Sequence, residues 1–341
     1  MRILVTGHRG YIGARMVPLL LDAGHDVVGL DIDLYAGCDF GEPLVEVPQH
    51  VLDVRDVEPR HCEGIDAVVH LAALSNDPLG DLNPQLTYDI NHRGSIRLAR
   101  AAKEAGVSRF LFSSSCSLYG ASGDDVLDEE ASFHPVTPYA ETKILVEKDL
   151  AELADADFSP TYMRNATVYG SSPRLRADLV VNNLTGYAWT TGKVLIKSDG
   201  SPWRPLVHVE DLCRAFLAVL EAPREAVHDT AFNVGRTPEN YRIREVAEIV
   251  AEELPGSQVS FAEGASPDTR NYCVDFSRIQ KTLPSFAPGW TVRDGVRELR
   301  EAFRQEGLGE AEFLSSRYLR IKTVQDRLAA GTLDVDLRAR G

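Results

Sequence analysis

Residues 2–31 read RILVTGHRGYIGARMVPLLLDAGHDVVGLD. RILVT is a short apolar, β-rich run, and residues 11–24 carry apolar positions at helical spacing. DVVGLD is a second apolar strand. This order predicts a parallel strand–helix–strand unit. Gly7, Gly10 and Gly13 fall between the first strand and the helix in a GxxGxxG pattern. Glycines there permit a tight turn and let the helix N-terminus approach a pyrophosphate, whose charge the helix dipole favours. A glycine triplet alone is weak, because such triplets are common in loops; the strand–turn–helix setting gives it weight. Asp31 closes the second strand at about the distance from which a carboxylate accepts hydrogen bonds from a ribose diol. The same carboxylate repels a 2′-phosphate, so NAD is expected rather than NADP. Arg9, Tyr11 and Ile12 of the turn join the three glycines as cofactor candidates. The bland alternative is a plain strand-to-helix turn with a capping aspartate.

The rhythm continues outward. Apolar runs recur at HVLDV (50–54), AVVHLAA (67–73) and RFLFSSS (109–115), with helical stretches between them, notably INHRGSIRLARAAKEAG (90–106). Val/Ile/Leu strands separated by helices predict an α/β fold of Rossmann type, a doubly wound parallel sheet covered on both faces. Leu71, Ala72, Ala73 and Asn91 are further cofactor candidates, with Val54. Asp53, ending the third strand, either faces the adenine edge or caps a helix. After about residue 165 the pattern changes to short strands, Pro/Gly-rich loops and a few helices, which predicts a smaller C-terminal substrate-binding lobe. LVHVEDLCRAFLAVLEAP (206–223) reads as a helix, and TAFNVG (230–235) as a strand returning to the first sheet. The division expected is 1–169 plus 206–235 for the NAD-binding domain and 170–205 plus 236–311 for the lobe. Residues 312–341, with RYLRIKTVQDRL, read as a solvated tail rather than a helix with a basic face.

The 341 residues are enough for a sizeable core, and the net charge of −15 argues against a nucleic-acid groove. An anionic ligand in so acidic a protein needs locally placed arginines. Five cysteines, scattered and without a CxxC pair, suit a reducing compartment and form no zinc pattern. The first strand begins at once, and no apolar run of about 18 residues follows. The expectations are a cytoplasmic protein with no membrane partner and no metal.

Tyr139 and Lys143 stand four apart in TPYAETK, behind Thr137 as N-cap and Pro138 in the first helical turn. That spacing puts phenol and ammonium on one helix face. A phenol titrates near 10, and an adjacent ammonium favours phenolate, so Tyr139 is a candidate base near neutral pH. YxxxK alone means little. Together with the glycine turn and the serine-rich strand end FSSSCSLYG (112–120) it is far more specific.

With these motifs the chain resembles the extended short-chain dehydrogenases/reductases, the NAD-dependent nucleotide-sugar epimerases and dehydratases, with a pattern like that of the UDP-glucose 4-epimerases. The likeness runs over roughly residues 1–300 and rests on TGHRGYIG, Asp31, HLAAL, SSSCSLYG, PYAETK, RNATVYG and RPLVHVEDL. It implies tightly held NAD, a nucleotide-diphosphate sugar as substrate, and a homodimer. It places the working hydroxyl four residues before Tyr119, at Ser115, with Tyr139 and Lys143. Where the dehydratase branch has an Asp/Glu pair after that serine, this chain has Cys116 and Ser117. Cys116 reads first as a buried filler. Dehydratases and 3,5-epimerases that use a cysteine near this position keep a lyase reading open beside a net oxidoreductase. Ser75, Cys116, Ser117, Asn165, Asn183, Arg176, Arg204 and Arg270 are the substrate-side candidates, with Arg174 opening the second lobe. Each arginine alone reads as a solvated surface residue; together they suit a diphosphate. Thr167 stands where the familiar pattern has an asparagine, which puts the sugar-diphosphate contact there in doubt. His70 and His208 read as structural.

Overall fold

The strand–helix–strand opening appears as β1 (Arg2–Thr6), a helix α1 (Gly13–Asp22) and β2 (Asp26–Asp31) in a computed structural model, which describes residues 1–75, 83–266 and 270–340. The strands that follow are β3 (Gln49–Val51), β4 (Ala67–His70), β5 (Arg109–Ser115), β6 (Ala121–Leu127) and β7 (Ser159–Asn165). Next come β8 (Thr167–Tyr169), β9 (Lys193–Ser198), β10 (Trp203–His208) and β11 (Thr230–Val234). The last are β12 (Asn240–Arg242), β13 (Gln258–Ser266) and β14 (Asn271–Val274).

Seven of these make one parallel sheet in the order β3-β2-β1-β4-β5-β7-β11. Its central strands are buried along their length because helices cover both faces, which is why they read as continuous apolar runs. The chain runs from β1 outward to β3, then returns to the other side of β1 for β4. Beyond the C-terminal ends of β1 and β4 the following loops diverge and open a crevice, the usual ligand site of such sheets. β8, β10 and β12 form a three-stranded sheet; β9 pairs with β13 and β6 with β14.

Three local readings change. Leu206–His208 of the expected helix continues a strand, β10, and the helix proper spans Val209–Glu221, capped by His208. Its run LVHV is buried and pairs with β8, so tertiary burial overrides the apparent helical period. Residues 88–94 are π-helical before the α-helix Ser95–Glu104, and this wider turn carries Asn91. The segment after 311 is not a solvated tail. Arg320–Ala329 is an α-helix, and Val324, Leu333 and Leu337 pack on Leu34, Leu74 and Leu86. Its apolar residues are too sparse to announce a core, but they meet an apolar patch supplied by distant loops. Among the described residues no helix is long and apolar enough to cross a membrane.

Candidate active site

The crevice is a cavity of about 800 Å³. At one end lies the glycine turn. Gly7 has φ +71°, and a Cβ there falls 2.9 Å from the Ala72 nitrogen. A Cβ on Gly13 falls 2.3 Å from the Gly7 carbonyl oxygen. Both positions therefore require glycine, one for its backbone and both for space. No side chain caps the N-terminus of α1 among the described residues and no acid occupies its first turn, and Gly10, Tyr11, Ile12 and Gly13 there line the cavity. Asp31 lies beyond, accepting from the Arg9 N–H at 3.0 Å and the Asp33 N–H at 2.8 Å. Burial pushes its carboxyl up, and these two N–H groups oppose that shift. The Arg9 guanidinium turns to Asp33, Glu46 and Gln49. Cradle, helix end and buried carboxylate fit the diphosphate and adenosine ribose of NAD.

Leu71, Ala72, Ala73 and Ser75, after β4, form the next wall. Asn91 does not line it. Its side chain accepts from the Leu74 N–H at 2.7 Å and donates to the Leu74 carbonyl at 3.0 Å, so Asn91 fixes the wall from behind. Asp53 and Val54 line the cavity, with Asp53 capping a 3₁₀ turn through the Arg55 N–H and pairing with the Arg55 guanidinium at 2.6 Å. Of the two sequence readings of Asp53, the cap is the one its hydrogen bonds describe.

The catalytic candidates come from β5 and the helix α3, counting Ser95–Glu104 as α2, which spans Pro138–Leu153. Thr137 caps α3, accepting from the Ala140 N–H, with Pro138 at its first position. Tyr139 and Lys143 share the face toward the cavity, with Lys143 Nζ 5.3 Å from the Tyr139 ring centre. Lys143 Nζ donates to the Ser113 carbonyl at 2.6 Å and lies over the Phe112 ring. Burial lowers its ammonium to about 7, with Glu147 opposing. Ser115 and Ser117 line the cavity, and the Ser115 hydroxyl accepts from the Ser117 N–H at 3.1 Å.

Ser114, which also lines the cavity, and Cys116, which does not, have their side chains bonded into a buried network. Ser114 donates to Glu147 at 2.5 Å, and Glu147 is gripped by Arg164 at 2.7 Å with both side chains buried. Cys116 does not reach the cavity, against its expectation as a substrate contact. It is 1% exposed, its thiol donates to the Arg164 carbonyl at 3.1 Å, and burial pushes it well above the usual thiol range. Strand and 3₁₀ geometry turn it into the core. The Ser114–Glu147–Arg164 network escaped sequence reading. A signal was present in the period of two along β5, which sends neighbouring serines to opposite faces.

On the substrate side Asn165, Thr167, Asn183, Arg204 and Arg270 line the cavity. Asn165 donates to Ser113 at 2.9 Å and Asn183 to the Ala177 carbonyl at 2.6 Å. Arg204 donates to the Arg270 carbonyl, so the two approach each other; residues 267–269 of the SPDTRNY motif lie outside the described residues. Arg176 also lines the cavity but leans to the cofactor side, donating to the Ser75 hydroxyl at 3.1 Å and pairing with Asp178 at 2.8 Å. Arg174 turns away to Asp33 and the Tyr35 carbonyl. His70 is bonded to Thr6 and Ser95 at 2.7 Å each, and His208 is stacked on Trp290 and bonded to Glu298. Both are structural.

A glycine turn on a doubly wound sheet, facing a Ser–Tyr–Lys set, defines a dinucleotide-dependent enzyme of the short-chain dehydrogenase/reductase type. Residues 3–235 match the model of the NAD dependent epimerase/dehydratase family. The chain belongs to that family and is an NAD-dependent enzyme. It is 32% identical over 293 residues to a UDP-glucose 4-epimerase of Lactobacillus helveticus, covering 79% of this chain and 87% of that protein. Among solved structures, MoeE5 in complex with UDP-glucuronic acid and NAD superposes with a TM-score of 0.77 at 27% identity, covering 89% of this chain and 99% of that one. A UDP-glucose 4-epimerase of Thermotoga maritima with UDP-glucose gives a TM-score of 0.78 at 25% identity, with coverages of 89% and 99%.

Proposed function

We propose that the protein inverts one hydroxyl-bearing carbon, C4, of a nucleotide-diphosphate sugar. The observation that carries this reading is the convergence of Ser115, Tyr139 and Lys143 on the cavity that begins at the glycine turn, while Cys116 is buried behind it. The turn of Gly7, Gly10 and Gly13 and the Asp31 carboxylate would hold NAD⁺, which would supply the acceptor and then the donor of a hydride for the sugar carbon. Tyr139 takes the hydroxyl proton and later gives it back. The Lys143 ammonium favours the phenolate form of Tyr139 that accepts this proton, and the phenolate in turn favours the ammonium that burial opposes. Ser115 keeps its hydroxyl hydrogen for the sugar oxygen, because its own oxygen already accepts from Ser117. Arg204 and Arg270, with Asn165, Thr167 and Asn183, hold the diphosphate and sugar, and Ser117 adds a buried hydroxyl with no hydrogen-bond partner among the described residues. The names carried by related chains support a UDP-sugar, a homodimer follows from the family resemblance, and the cysteine pattern supports a cytoplasmic setting.

With Cys116 turned into the core and Ser117 a lone hydroxyl, the cavity holds, among the described residues, no acid–base pair beside the serine of the kind a dehydratase needs. Turnover of the true substrate in D₂O is therefore expected to give an epimer of unchanged mass. Uptake of deuterium at carbon, or loss of water, overturns C4 epimerisation through hydride return.

A further inference from the structure

Arg320, outside every motif, is 2% exposed and lines the cavity. Its guanidinium stacks on the Tyr35 ring at 4.0 Å, and Nη2 donates to the Arg174 carbonyl at 2.9 Å. Nη1 is buried and has no hydrogen-bond partner among the described residues. Arg176 lies close by, and the Asp178 carboxylate beside them is already held by Arg176. Two guanidiniums with one carboxylate leave a net positive charge in a buried place, and burial pushes the Arg320 guanidinium down. A buried charge without a partner is costly, so such a site selects an anion.

The position identifies which anion. Tyr35 follows β2 and Ser75, the partner of Arg176, follows β4; these strands flank β1, whose C-terminal end carries the glycine turn. Arg176 interacts electrostatically with Tyr35 and with Tyr11 of that turn, and Arg320 lies beside Arg176. The segment bearing Arg320 is fastened to the adenosine end of the cavity. Arg327 donates to the Leu34 carbonyl at 2.5 Å, Arg55 donates to the Asp336 carbonyl at 2.9 Å, and Arg338 pairs with Asp56. Leu319, Ile321 and Leu337 line the cavity beside it.

We propose that residues 319–337 are a wall of the dinucleotide site and that the Arg320 guanidinium serves the diphosphate of NAD, with Arg176 as its companion. The proposal rests on the cofactor reading of the glycine turn and is independent of which sugar reacts. A diphosphate also occurs in the nucleotide-sugar substrate, so the test separates the two sources. The full chain, freed of dinucleotide, is titrated with NAD, ADP, adenosine and UDP, for the wild type, Arg320→Gln and Arg320→Lys. Arg320→Gln is expected to weaken NAD and ADP roughly tenfold to hundredfold, the range of one charge-assisted hydrogen bond, and to leave adenosine within about twofold. Arg320→Lys, which keeps charge but loses the planar fork, is expected to fall between. Equal losses for ADP and adenosine mean that Arg320 only supports the fold, and a loss for UDP without one for ADP moves the contact to the substrate; either overturns the proposal. Should the Gln variant not fold, the ratio of ADP to adenosine affinity in the Lys variant decides, and an unchanged ratio overturns it.

Discussion

Ser115 and Cys116 are neighbours in the chain and have opposite surroundings. Ser115 faces the 800 Å³ cavity with Tyr139 and Lys143, whereas Cys116, like Ser114, faces a buried network built on Glu147 and Arg164. Both sides offer polar, titratable groups, and residue type alone does not tell them apart. The difference is saturation. The Glu147 carboxylate receives four hydrogen bonds, from Ser114 and three from Arg164, so nothing remains for a ligand. On the cavity side Ser115, Ser117 and Tyr139 line the space that begins at the glycine turn. A satisfied network holds a fold; hydroxyls and charges facing a cavity can act on a ligand.

The contrast breaks if chemistry and stability fail to separate. The largest effect is expected for Tyr139→Phe, which should cost roughly 10²–10⁴ in kcat while thermal stability and bound NAD stay near wild type. Steady-state rates and dinucleotide released on denaturation check this, and near-normal turnover removes Tyr139 from the chemistry. On the other side Arg164→Met leaves the Glu147 carboxylate buried and uncompensated. A loss of about 3–5 kcal/mol in unfolding free energy is expected. Denaturant titration reads it, and a loss under about 1 kcal/mol shows the pair to be relaxed by water.

Acid sharpens the comparison through His70, another saturated buried group. Burial lowers its imidazole to about 3, so the folded chain leaves it neutral where the unfolded chain, near 6.5, takes up a proton. The unfolded state then binds more protons between about pH 6.5 and 3, and stability falls as pH falls through that window. From pH 6.5 to 5 the share of His70 is roughly 2 kcal/mol by linkage. His70→Asn, which keeps a donor and an acceptor for Thr6 and Ser95, should flatten the slope; an unchanged slope assigns it to other groups. The smallest effect tests the neighbours directly. Cys116→Ala should cost about 1 kcal/mol of stability with turnover intact, whereas Ser115→Ala should fold normally and lose activity more than tenfold. A folded but inert Cys116→Ala reverses the whole contrast.

The sheet was legible because each strand of 26–31, 67–70 and 109–115 is buried on both faces and so spells itself in apolar residues. The glycine turn and the Tyr139/Lys143 pair were legible for a similar reason: a tight turn excludes side chains, and one helical face fixes a spacing of four. These are local constraints, and a sequence carries them in order. Which side of the strand end holds Cys116 was open, because the decision lay with Arg164, whose carbonyl receives its thiol from the adjacent strand. The bonds of Asn91 to Leu74 were not legible, because a π-turn aims its side chain there. The C-terminal segment was least legible. Val324, Leu333 and Leu337 form no stripe long enough to mark a core, and Arg320 looks like any surface arginine until Tyr35 lies beneath it. The sequence by itself determined the parallel α/β sheet, the dinucleotide turn and the spacing of the reactive pair. The tertiary structure alone decided which polar groups are satisfied and which line the cavity, because that depends on partners tens to hundreds of residues away.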